Sequence, residues 1–144
     1  MGVAAAVLVG GNDSPAWAAA DSAALQAQAL ALIGDAACVD SDQCRTIEWG
    51  AKACGGPQAY VAWSTLRTDE AALKKAVAKF AASRRKEIER LGLASDCSLV
   101  ADPGAACAPN PRGSANAPPR VCTLNARPSA SRLVQAAVRA SSMP

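Results

Sequence analysis

Six cysteines in a chain of 144 residues, with no histidine and no C-x-x-C pair, set the tightest limit on what this chain can fold into. The count is even, in Cys38, Cys44, Cys54, Cys97, Cys107 and Cys122, which suits three disulfides in an oxidising compartment. The usual zinc ligand spacings are missing, so no metal site is expected. Thioredoxin-type redox chemistry also needs C-x-x-C, and falls with it. Cys107–Cys122 is the expected first pair, because it closes a loop-rich hairpin. The other four cysteines allow three pairings, and sequence does not choose among them.

The N-terminus has the character that such a compartment asks for. Gly2 to Gly11 is an apolar run too short to span a bilayer. Ala16 and Ala18 then flank Trp17 with the small-residue spacing of a signal peptidase site, although no Lys or Arg precedes the run. Residues 1–20 read as a secretory signal, 21–124 as one disulfide-stabilised domain and 125–144 as a flexible tail. A secreted or periplasmic protein is expected. Removing the signal takes only Asp13 from the charge count, leaving fifteen bases against eleven acids, or +4. That excess is too small to argue for nucleic acid, and one Phe and one Tyr make poor stacking platforms. The expectation is a monomer with no cofactor, no nucleic-acid partner and no membrane span.

The periodicities predict α+β: one shorter helix, a small antiparallel sheet and one long helix packed across it. Asp21 or Ser22 can cap the first helix, whose Leu25, Ala29, Leu32 and Ile33 recur at helical spacing before Gly34. "CRTIEWG" changes to period two, with Arg45, Ile47 and Trp49 on one side. "AKAC" can return as a second short strand, and "AYVAWST" alternates again, putting Val61 and Trp63 on one face. The long helix follows Thr68 as its cap, carries Leu73, Val77, Phe80, Ile88 and Leu91 as a stripe, and ends at Gly92. Arg84 lies in that stripe; its stem covers apolar surface, or else its head reaches a buried carboxylate. "SDCSLVADP" and "PRVCTLN" read as two further strands joined by a surface loop that is mobile except at Cys107.

Catalytic patterns are scarce. Without histidine, Ser-His-Asp and Cys-His arrangements are impossible. Ser83 to Lys86 has Ser-x-x-Lys spacing but lies mid-helix, without companion motifs. Glu48, Asp96, Asp102 and the helix carboxylates show no spacing that brings a pair together locally. Seven bases between Lys74 and Arg90 form either a solvated helix face or a contact for an acidic partner.

The stretch Gln43 to Thr65 concentrates two cysteines, Gly55-Gly56-Pro57, two tryptophans and Tyr60. "CGGP" lacks the Lys-Ser/Thr of a phosphate loop. It reads as a rigid corner anchored at Cys54, scaffold first and preorganised binding loop second. Trp63 is the expected core residue; Trp49 and Tyr60 are expected at the surface. The candidate binding set is Trp49, Lys52, Gly55, Gly56, Pro57 and Tyr60, and no catalytic residue is assigned.

The strings "DQCRTI", "GAKACGGPQAYVAWS" and "SDC…DP…C…C" resemble a group of small secreted, mostly bacterial, six-cysteine proteins. The resemblance runs from about Cys38 to Cys122 and leaves out the "APNPRGSANAPP" insertion and the C-terminal tail. It implies an extracytoplasmic, disulfide-bonded domain and no particular activity. The reading reached is a non-enzymatic interaction domain with an unknown protein or envelope partner, one version being an inhibitor of a secreted hydrolase. The alternatives are a hydrolase using carboxylates from distant parts of the chain, and an envelope or anion binder using the basic helix. A pocket holding two carboxylates would favour the hydrolase.

Overall fold

A computed structural model describes residues 16–126. Most of the expected secretory signal and the tail beyond residue 126 lie outside the described residues. The order is α1 (Ala16–Ile33), a short 3-10 turn (Ser41–Gln43), β1 (Cys44–Trp49), β2 (Ala59–Ser64), α2 (Glu70–Leu91), β3 (Ala105–Pro109) and β4 (Arg120–Leu124). This is the expected α+β architecture, with the strands divided between two two-stranded antiparallel ladders.

Alanine and leucine carry α1 from Ala16, so Asp21 and Ser22 lie inside the helix and neither caps it. Gly34 ends it at φ +60°, with its N–H donating to Leu30 O at 2.9 Å. The cap of α2 is Asp69 and not Thr68: an Asp69 carboxylate oxygen accepts from Ala72 N–H at 2.7 Å. Thr68 is buried, and its hydroxyl donates to Leu32 O, tying the entry of α2 to the last turn of α1. Gly92, at φ +61°, closes α2, and Leu93 N–H donates back to Ile88 O.

Leu73, Val77, Phe80 and Ile88 of α2 are buried as the stripe requires, whereas Leu91, the last residue of the helix, is exposed. Leu73, Val77 and Phe80 share one core cluster with Ala29 and Ile33 of α1 and Trp63 of β2. Trp49 also belongs to this core, with its ring 5.1 Å from that of Phe80. The surface placement expected for Trp49 is therefore corrected. A period-two pattern separates two faces without saying which is covered, and here α2, β3 and β4 all contact β1.

β1 pairs with β2 from Cys44↔Ser64 to Trp49↔Ala59. "AKAC" forms no strand; residues 50–58 make the turn between the two. Nor is "SDCSLVADP" a strand, since residues 93–104 have no regular structure. β3 forms instead inside the expected loop, on "AACAP", where β4 supplies its hydrogen bonds and Cys107 its anchor.

The disulfides are Cys38–Cys107, Cys44–Cys122 and Cys54–Cys97. Cys107–Cys122 is not formed, although the two stand directly opposite in the β3–β4 ladder. Both are buried, and they bond away from each other, to the approach to β1 and to its first residue. Bonds spanning 69 and 78 residues tie the hairpin to the rest of the fold, which a bond within the hairpin would leave untied. Arg120 braces the junction by donating to Val39 O and Cys107 O, and Ser41 Oγ accepts from Cys107 N–H.

Candidate functional site

The third disulfide lies elsewhere. Cys54 and Cys97 are exposed, and they join the β1–β2 turn to the irregular segment after α2. Gly55 and Gly56 in that turn have φ +93° and +76°, the conformations for which glycine is suited. Lys52 N–H donates to Gly56 O and Gly55 N–H to Lys52 O, closing the corner on itself.

Lys52 is not a surface contact residue as expected. Its side chain is only 11% exposed and runs beneath the second segment. Its Nζ donates to Ser98 O, lies 3.3 Å from Ser98 Oγ and sits 3.5 Å from Asp96. The Asp96 carboxylate accepts from Ser98 N–H at 3.1 Å and from Ser98 Oγ at 2.9 Å. These two bonds, with Lys52 adding its charge, hold the Asp96 pKa below the ordinary carboxylate value.

Behind the corner a groove of about 700 Å³ runs between the β1–β2 turn and α2. Gly56 and Pro57 of the turn and Tyr60 of β2 line it on the strand side, and Lys74, Ala78, Ala81 and Arg85 line it from α2. Glu48 and Asp102 enter the same groove. Asp102 is held there because one carboxylate oxygen accepts from Thr46 Oγ1 at 2.6 Å and the other from Gly104 N–H at 2.8 Å. Those bonds keep its carboxyl ionised below the usual range. Tyr60 is half-buried; desolvation first, then the charges of Glu48 and Asp102, push its hydroxyl pKa up, so it stays a proton-bearing donor at neutral pH.

Of the six binding candidates, the structure gathers Gly56, Pro57 and Tyr60 around one groove and leaves Gly55 exposed beside it. It moves Trp49 into the core and Lys52 under a loop. Sequence reasoning missed the meeting of Glu48 with Asp102, because the contact that carries it, Thr46 to Asp102, spans 56 residues. The bases of α2 also divide. Lys74 and Arg85 face this groove, whereas Lys79, Lys86 and Arg90 line a second one of about 660 Å³ against α1. Arg84 serves neither: it pairs with Glu87 one turn along, with both residues partly buried, so the carboxylate it reaches is not a fully buried one.

No described helix is long and apolar enough to cross a membrane. No protein-family model, curated protein or solved structure matches the chain.

Proposed function

We propose that this chain is a monomeric, non-enzymatic interaction domain of a secreted or periplasmic setting, binding a protein or envelope partner through its Cys54–Cys97 end. The observation that carries this reading is the groove in which the Gly-Gly-Pro corner, Tyr60 and the α2 cations Lys74 and Arg85 face one another. Loop and helix are then two walls of one binding face instead of rival faces. The groove offers anions, cations and a phenol donor within a braced frame, so little ordering entropy is lost when a partner docks. The resemblance of the sequence to small secreted six-cysteine proteins supports the same setting.

Glu48 and Asp102 favour a second reading, since two carboxylates from distant segments share the groove. Carboxylate hydrolysis needs one of the pair to carry a proton at working pH. Asp102, held toward its anion, fits the base of such a pair. The interaction reading ranks first because the Gly-Gly-Pro corner, Tyr60 and two α2 cations line the same groove.

The test uses the oxidised full chain as bait in native culture or envelope fluid. Tyr60→Ser with Arg85→Glu should weaken partner capture at least about tenfold, with the fold retained by far-UV circular dichroism. Lys79→Glu with Lys86→Glu, on the other groove, should leave capture intact. The reverse outcome would move the binding face to the α1–α2 side and revive the anion-binder alternative. Hydrolytic turnover by the wild-type chain that Glu48→Gln abolishes would establish the enzyme reading.

A further inference from the structure

We infer that residues 95–102 form a substrate-like loop that enters the cleft of a serine endopeptidase with an apolar primary pocket, with Leu99 as the side chain that fills it. Leu99 is 96% exposed, the most exposed of the large hydrophobic residues described. A lone exposed leucine is ordinary. What sets this one apart is the contrast between its own freedom and the fixing of the chain on both sides.

Two residues before it, Cys97 is bonded to Cys54. One residue before it, the Ser98 carbonyl accepts from Lys52, and the Ser98 N–H and hydroxyl are held by Asp96. One residue after it, half-buried Val100 lines the cavity shared with Lys52 and Ile88. Three residues after it, Asp102 is fixed to Thr46 and Gly104. Among the described residues Leu99 itself has no hydrogen-bond partner on main chain or side chain. A peptidase that reads one side chain at the scissile bond needs a protruding residue with free N–H and C=O on a backbone already held in place. The inference rests on the Cys54–Cys97 end being the binding side, but it uses the loop and not the groove.

The bracing also decides between substrate and inhibitor. When the enzyme's serine oxygen attacks the Leu99 carbonyl carbon, an acyl ester forms, the Leu99–Val100 C–N bond breaks and the Val100 nitrogen takes a proton. On an unbraced loop that amine departs and water completes hydrolysis. Here Cys97 holds the acyl side, while Asp102 and β3 hold the amine side. The amine stays in place, attacks the ester, returns the proton and remakes the peptide bond.

The test titrates the oxidised full chain against chymotrypsin and subtilisin, with trypsin as the enzyme of opposite preference. Inhibition of the first two and not of trypsin is expected. Leu99→Gly should weaken it by about thirtyfold or more. Leu99→Lys should transfer it to trypsin, with melting temperatures unchanged because the side chain is in solvent. Lys79→Glu with Lys86→Glu, on the α1–α2 groove, should leave peptidase inhibition as it was. The inference is overturned if none of the enzymes is inhibited, if Leu99→Gly inhibits as well as wild type, or if the Leu99–Val100 bond is cut rapidly without inhibition. Any of these together with intact groove-dependent capture would remove the loop proposal and leave the binding-side reading standing.

Discussion

The two ends of the molecule use the same bond for different work. At one end Cys38–Cys107 and Cys44–Cys122 lie side by side in the core, with every sulfur-bearing residue buried. At the other, Cys54–Cys97 is exposed and joins two segments with no regular structure. Loop length hardly separates them. The chain-entropy model gives about 4 kcal/mol for closing either a 43- or a 78-residue loop, a difference of only about 0.5 kcal/mol. Burial does separate them, since the first pair fills core volume and the second fixes the shape of a surface.

The largest expected effect breaks the comparison at its buried end. Cys44→Ala with Cys122→Ala removes a cross-link and leaves a hole in the core, so the loss should be on the order of 5 kcal/mol or more. Cys54→Ala with Cys97→Ala should lose about 2–4 kcal/mol and still give a cooperative melt. Denaturant unfolding of both double variants checks the order; equal losses would erase the distinction.

Next come the aromatic residues, where Trp49→Ala and Trp63→Ala should each cost roughly 3–5 kcal/mol. Tyr60→Ser, at the groove, should cost clearly less. Calorimetric melts decide, and a mild Trp49 variant would return that ring to the surface.

A smaller effect sits in the exposed corner. Gly56 has φ +76° and no atom within 4 Å of an added Cβ, so Gly56→Ala meets a conformational penalty alone, about 1–2 kcal/mol. Unfolding titrations should show it, and an unchanged midpoint would contradict the left-handed corner.

The smallest effect is the pH response of the exposed end. Asp96 and Asp102 have lowered folded-state pKa values, so their contribution is present above the unfolded Asp value of about 4 and is lost as pH falls through the folded values. Asp102→Asn should flatten the acid limb of the melting-temperature profile and lower the neutral plateau slightly. A lowered acid limb with an unchanged plateau would reverse the sign.

Local signals in the sequence were enough for α2. Its stripe through Leu73, Val77 and Phe80, its acidic first turn and Gly92 all act within a few residues. Trp63 was legible for the same reason. The disulfide pairing was not, because Cys107 and Cys122 satisfy the local geometry of a hairpin while long-range packing assigns them other partners. β3 was hidden because "AACAP" has weak strand preference of its own and is made a strand by β4. At the site, the glycine corner and Tyr60 were legible from turn chemistry and residue type. The groove wall was not: Asp102 reaches it through Thr46, and Lys52 leaves the surface because Ser98 and Asp96 come to lie over it. Both depend on folding that no local spacing encodes.

The central claim, that one end is scaffold and the other a fixed but accessible surface, is tested most directly by native-state reduction. The oxidised chain is exposed to a mild dithiol without denaturant, alkylated at timed intervals and mapped by peptide mass. Access governs thiol–disulfide exchange, so Cys54 and Cys97 should be labelled sooner than the other four by on the order of tenfold or more, with far-UV circular dichroism retained. Labelling of all six cysteines at one rate, with loss of the helical signal as the first of them reacts, would contradict it.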